Sequence, residues 1–202
     1  DYLFENSKSE QYRDKLTNAW ERVSLPRYGE NPHQSAAIYK RANEKGGIVN
    51  ATKLHGIDMS YLNYYDADAA WSAVTSFHQP CVAIVKHSNP CGLAISQDQT
   101  EAYKRALSGD PVSAFGGIVG FNTKVSENTA KAMEGIFLDV IVAPSYEPRA
   151  LEILTKRKKT RILHVHPDTG VSMMIRSVSG GVLLQESDLN DDQPDTWRTV
   201  SK

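Results

Sequence analysis

The chain has 202 residues, with 23 Lys plus Arg against 24 Asp plus Glu and a formal charge of -1 when histidine is neutral. That balance argues against a protein that grips nucleic acid or an anionic membrane through bulk positive charge. Hydrophobic residues at 40% and charged residues at 23% suit a globular chain of one or two domains, large enough to fold without disulfide or metal staples.

Two cysteines, Cys81 and Cys91, are too few for a four-thiolate zinc site or a secreted disulfide framework, so a reducing, cytoplasmic compartment is expected. No window approaches the ~20 apolar residues of a membrane span. The first residues carry neither the basic nor the apolar region of a signal peptide. The start on Asp1 rather than Met reads as a cut from something longer.

Residues 1–25 are polar, with scattered apolar points at Leu3, Phe4, Leu16 and Trp20. They read as a connector carrying a helix from Ser9 to Arg22 and ended by Pro26. Ala36–Lys40 reads as a short strand. Asp66–Phe77 reads as a helix, because Ala67, Ala70, Trp71, Val74 and Phe77 recur at helical spacing. Cys81–Val85 is a continuous apolar run of strand length, suited to a strand buried on both faces. Asp98–Leu107 reads as a helix capped by Asp98, with Glu101 completing a capping-box-like pair and Gly109 as the stop. Gly117–Phe121 reads as a strand, Ser126–Met133 as a helix capped by Ser126, and Val140–Ala143 as a second buried strand closed by Pro144. Glu147–Lys156 reads as a helix, with Arg161–Val165 and Gly181–Gln185 as further strands. This alternation predicts an α/β layered domain with a mainly parallel central sheet.

The sharpest motif is Lys86-His87-Ser88-Asn89-Pro90-Cys91-Gly92, directly after the buried run. Beyond the carboxyl end of a parallel strand is where open sheets bind ligands. Asn89-Pro90 and Gly92 are turn formers that would bend the chain there. His87 has the chemistry of a general base near neutral pH, and Lys86 the charge to steady an oxyanion. The same pair also reads as a solvated strand-end lysine beside a turn histidine. A zinc site at His87 and Cys91 fails on its ligands: Asn89 stands where a deaminase carries Glu, and no second thiolate follows Cys91. Cys91 reads instead as a small buried apolar residue.

Arg27-Tyr28-Gly29-Glu30-Asn31-Pro32-His33-Gln34 is turn-rich and polar, and Arg27 suits a phosphate or carboxylate. An ordinary surface loop would look the same. Ser113-Ala114-Phe115-Gly116-Gly117 lets the backbone approach a ligand closely, or simply enters a strand. Asp139, at the head of a buried strand, could accept hydrogen bonds from a ligand or be satisfied by solvent. His164 and His166 share one face of a strand, and exposed histidines are expected there rather than metal ligands.

Taken in order, these segments resemble the AICAR transformylase/IMP cyclohydrolase family of purine biosynthesis. The resemblance runs from about residue 26 to residue 188. It also takes in Leu62-Asn63 with Asp66-Ala67-Asp68-Ala69-Ala70, Ile141-Val142-Ala143-Pro144, and Arg176-Ser177-Val178 with Gly180-Gly181-Val182-Leu183-Leu184-Gln185. One departure is local: Gly56-Ile57-Asp58-Met59-Ser60-Tyr61 lacks the lysine the family carries near Ile57–Asp58.

The resemblance implies a cytidine-deaminase-like lobe without zinc. It divides the chain into a linker at 1–25 from a missing cyclohydrolase domain, a first transformylase lobe at 26–190, and a polar tail at 191–202 toward a missing second lobe. It implies formyl transfer from 10-formyltetrahydrofolate to the 5-amino group of AICAR in IMP biosynthesis, with no metal in this lobe. By match to the family motifs, His87 is the base and Lys86 its electrostatic partner, while Arg27, Tyr28, Gly116 and Asp139 contact the nucleotide. The expected partners are AICAR and the folate, with no nucleic acid polymer and no membrane. The full-length enzyme is expected to be a homodimer that shares its sites across the interface, so this chain alone should be inactive. A non-catalytic nucleotide-binding module of the same fold is the alternative, and intact Lys86-His87 speaks against it.

Overall fold

Cys81, Val82, Ala83, Ile84 and Val85 are each no more than 1% exposed. Successive side chains of a strand point to opposite faces, so this strand needs apolar cover on both. Val82 and Ile84 pack into one core with Val119, Phe121, Ile141 and Leu154. Cys81, Ala83 and Val85 pack into a second core with Trp71, Val74, Val140 and Leu163. At about 1.5–3 kcal/mol for each large apolar side chain buried, these two cores are the main stabilising term.

The computed structural model describes residues 15–42, 44–167, 173–188 and 198–200. The elements in chain order are β1 (Trp20–Ser24), β2 (Ile38–Arg41), a short 3-10 turn (Ile48–Asn50), β3 (Thr52–His55), α1 (Tyr61–Thr75), β4 (Cys81–Lys86), β5 (Asn89–Ile95), α2 (Gln99–Gly109), α3 (Pro111–Ala114), β6 (Ile118–Phe121), α4 (Glu127–Ala132), β7 (Val140–Ala143), α5 (Pro148–Leu154), β8 (Arg161–His164), β9 (Met173–Val178) and β10 (Gly181–Glu186). A six-stranded sheet runs β3-β8-β7-β6-β4-β5. Helix α1 covers one face through Ala67, Ala70, Trp71 and Val74. Helices α2 to α5 cover the other through residues such as Tyr103, Ala114, Ala130 and Leu154. Among the described residues, no helix is long and apolar enough to cross a membrane.

The expected α/β layering is present, but the proportion of parallel pairing is lower than the sequence suggests. Only β6–β7 and β7–β8 are parallel, whereas β3–β8, β4–β5 and β4–β6 are antiparallel. The reason lies in the hairpin β4–β5. Its tight return reverses the chain, so β4 enters the sheet against β6. The register aligns Val85 with Ile118, Ile118 with Val140, and Val140 with Arg161. The carboxyl end of β4 therefore lies beside the amino ends of β6, β7 and β8. The rule for open parallel sheets therefore does not carry over to this end, where one strand finishes and three begin.

Several boundaries also move. Trp20–Ser24 is a strand paired with β2, not the end of a helix, and residues 1–14 lie outside the described residues. Asn89, Pro90 and Gly92 are not the turn but part of β5, an edge strand where a proline's missing N–H does no harm. A bulge there sets Ile84 opposite Gly92 and Val85 opposite Pro90. Asp98 does cap α2, accepting from the Thr100 amide at 2.8 Å, but Glu101 turns outward to Arg105 instead of closing a capping box.

The chain divides into two compact units, 1–167 and 168–202. In the second, β9 and β10 form a hairpin in register from Gly181–Val178 to Glu186–Met173. Of the expected tail at 191–202, only 198–200 lies among the described residues.

Candidate functional site

The turn between β4 and β5 consists of His87 and Ser88, flanked by the paired residues Lys86 and Asn89. Both turn residues have positive φ, 55° and 62°. A two-residue hairpin turn of this kind matches the twist of its strands, and sequences that adopt it favour Asn and Gly. A side chain in the left-handed region costs about 1–2 kcal/mol per residue. What offsets that cost is external. The half-buried Asp66 carboxylate on α1 accepts the His87 amide at 3.3 Å, the Ser88 amide at 2.8 Å and the Ser88 hydroxyl at 3.2 Å. Within the turn, Asn89 Nδ2 donates to the His87 carbonyl at 2.9 Å.

Lys86 Nζ donates to the Phe115 carbonyl at 2.9 Å, which sets the ammonium beside Gly116. Gly116 has φ of 72° and donates its amide to the Phe137 carbonyl at 2.8 Å. A non-glycine residue would be strained there. One strand further on, the Asp139 amide donates to the Gly117 carbonyl at 2.9 Å. Lys86, His87 and Gly116 thus form one group at the end of β4, with Asp139 next in the row.

Asp139 is not satisfied by solvent. Asn63 Nδ2 donates to its Oδ2 at 2.7 Å, and Arg161 Nη1 donates to its Oδ1 at 2.5 Å. Asn63 is also the third residue of α1, closing a reciprocal capping box with Ser60. Arg161, 7% exposed, also donates from Nε and Nη2 to the Asp58 carbonyl. A carboxylate has about four lone-pair positions, and side chains among the described residues take two of those on Asp139.

Arg27 and Tyr28 lie further along. They line a cavity of about 930 Å³ together with Lys53, Asp58, Ser60 and Arg161. Their loop is closed on itself: Gly29 donates to the Gln34 carbonyl at 2.8 Å, and Gln34 Oε1 accepts the Asn31 amide at 2.8 Å. Lys53 Nζ reaches the Ile57 carbonyl at 3.2 Å and Asp58 Oδ1 at 3.0 Å. That hydrogen bond and the Lys53 charge hold the Asp58 carboxyl below its ordinary range. Among the described residues, Arg27 has no carboxylate partner. From Lys86 on β4 to Arg161 on β8 is three strand spacings, about 14 Å. The structure therefore places the two groups of expected site residues at one end of the sheet as neighbours, not in contact, with Asp139 and Arg161 as the link.

The cysteines stay out of this chemistry. Burial pushes the Cys81 thiol up to about 11 and raises that of Cys91, so neither is a ready thiolate. Cys91 is half-buried rather than buried, and its thiol faces the Ile84 carbonyl at 3.4 Å. The His164 and His166 rings do share a face, with centroids 4.5 Å apart. Asn63, Asp66, Lys53 and Arg161 escape a reading of roles from the sequence. Each acts on a residue remote in the chain or on a loop, so even for Asn63 and Asp66, which lie within a segment of the family resemblance, the sequence does not say what the side chain holds.

The whole chain, residues 1–202, matches the family described as the AICARFT/IMPCHase bienzyme. It is similar to the bifunctional purine biosynthesis protein PurH of Mycobacterium ulcerans (strain Agy99), at 46% identity over 182 residues. That alignment takes in 88% of this chain and 35% of the relative, so the chain spans about a third of the relative's length. A full-length family match and identity of this degree leave one assignment: the chain belongs to the AICARFT/IMPCHase bienzyme family.

Proposed function

We propose that this chain supplies part of a formyl-transfer site of purine biosynthesis, in which the 5-amino group of AICAR takes a formyl group from 10-formyltetrahydrofolate. The observation that carries the reading is the row of groups at one end of the sheet. It starts at Arg27 and Tyr28, passes Arg161 and Asp139, and reaches Gly116, Lys86 and His87. A nucleotide monophosphate is an elongated ligand with an anion at one end and the reacting group at the other. Arg27 suits the anion, through charge-assisted hydrogen bonds. The polar middle suits Asp139, whose geometry Arg161 and Asn63 fix.

At the far end the amine attacks the formyl carbon, forming a C–N bond and a tetrahedral oxyanion. The amine is conjugated to its ring and nucleophilic only as it loses a proton, which His87 accepts. Lys86 steadies the negative charge on the oxyanion or on the departing folate nitrogen. Collapse breaks the bond from carbon to folate nitrogen, and the proton held by His87 goes to that nitrogen. Formyl-AICAR and tetrahydrofolate leave, with atoms and charge balanced.

The chain stands in this reading as one lobe of a two-lobed transformylase that completes its sites across a homodimer, alongside a cyclohydrolase. The test is formyl transfer by the full-length protein against the 202-residue chain alone. Turnover by the first and none by the second is expected. Steady-state turnover by the isolated chain would remove the requirement for a second lobe, and none by either would remove the proposed activity.

A further inference from the structure

Asn63 and Asp66 are three residues apart on α1 and therefore neighbours on one face of the helix. Asn63 holds Asp139, and Asp66 holds the His87–Ser88 turn. One helical face thus sets the spacing between the head of β7 and the end of β4, across the row where the nucleotide would lie. The turn itself is built against its sequence. Two residues with side chains occupy left-handed positions that glycine or asparagine would take without strain, and a carboxylate from another element holds them there. A hairpin selected for stability alone would carry the easier residues. Strain of this kind, compensated from outside, marks a position where the side chain itself is needed.

We propose that Asp66 is a positioning residue of this site: its carboxylate locks His87 and Ser88 in the left-handed conformation and so fixes the backbone from which the His87 imidazole works beside Lys86. The inference rests on the reading of His87 as the base. Asp66 touches no substrate and transfers no proton. It accepts two amides and a hydroxyl at once, which an ionised carboxylate does with both oxygens and which an amide side chain, with one acceptor oxygen, does only in part.

The experiment has two arms. In the full-length protein, Asp66→Ala should lower kcat about tenfold or more, since displacement of a catalytic group by an ångström costs up to a hundredfold. The AICAR KM should stay within about threefold, because ground-state binding does not pass through this turn. Asp66→Asn should fall between. Ser88→Gly added to Asp66→Ala should recover much of the lost kcat, since glycine adopts the left-handed conformation without the carboxylate. A purely structural role would lower thermal stability and leave kcat of the folded variant alone.

The second arm needs no turnover. In the 202-residue chain, the His87 and Ser88 amide protons should shift when Asp66→Ala removes the carboxylate to which they donate. Their strong intraresidue amide-to-Hα nuclear Overhauser effects, a mark of positive φ, should fade in Asp66→Ala. If Asp66→Ala fails to fold, Asp66→Asn carries both arms. A folded variant whose kcat is within about twofold of an active parent overturns this inference alone, as do amide protons that ignore Asp66. No formyl transfer by the parent protein overturns the functional reading and this inference with it.

Discussion

Three cations line or border the large cavity, and only one is uncommitted among the described residues. Lys53 is bound to Asp58 at 3.0 Å, and Arg161 to Asp139 and to the Asp58 carbonyl. Arg27 is exposed on a loop whose shape Gly29, Asn31 and Gln34 maintain among themselves. Hydrogen bonds to charged groups contribute about 1.5–3 kcal/mol each, and 1.4 kcal/mol is tenfold in affinity. Arg27→Ala in the full-length protein should therefore raise the AICAR KM roughly tenfold or more, and move the folate KM much less. An unchanged AICAR KM, with each substrate varied in turn, would return Arg27 to an ordinary surface arginine. Cys91→Ala should be mild, because the half-buried thiol, held protonated by desolvation, has no part in the proposed transfer.

At the scale of elements, two features that frame the site carry predictions of their own. A Cβ on Gly92 would lie 1.8 Å from the Ala106 carbonyl oxygen, so β5 and α2 touch backbone to backbone. Overpacking costs about 1–3 kcal/mol, and a rigid carbonyl cannot yield as a side chain would. Gly92→Ala should lower Tm by roughly 5 °C, read by calorimetry, whereas an unchanged Tm would mean that the two elements part easily.

The second feature is Asp110, which caps α3 by accepting the Ser113 amide at 2.9 Å, just before Phe115 and Gly116. That bond holds its carboxyl below the ordinary 3.8. A lowered folded-state value means the cap stabilises fully above the ordinary value and is lost as pH falls through the folded one. Acid titration should then release the Ser113 amide below pH 3.8, seen as faster hydrogen exchange there than in α2. Equal exchange in both would contradict it.

The same elements show what a sequence discloses. Helix α1 and strands β4, β6 and β7 are legible because burial selects apolar residues at their own period, or without interruption when both faces are covered. Strand β5 is not, because Asn89, Pro90 and Gly92 are each turn formers that an edge strand tolerates. Strand β1 is exposed at every position but the half-buried Ser24, so no apolar face betrays it. Lys86, His87, Arg27 and Gly116 could be singled out as local motifs. Their supports could not, because the Asn63–Asp139 bond spans 76 residues and the Arg161–Asp58 bond 103.

For the molecule as a whole, the decisive fact is the mixed sheet. Reversal at the His87–Ser88 turn brings the end of β4 to the heads of three parallel strands, so the Arg27 loop, the pair of buried Arg161 and half-buried Asp139, and a strained turn share one end of the sheet. The central claim is that chemistry happens at that turn while the nucleotide is held elsewhere along the row. The most direct test is steady-state formyl transfer by the full-length protein and its His87→Ala variant, with AICAR and the folate varied in turn. Loss of a general base should lower kcat about 10²–10⁴-fold, with the AICAR KM within a few fold of the parent's. A His87→Ala enzyme with a kcat near that of the parent would contradict the account.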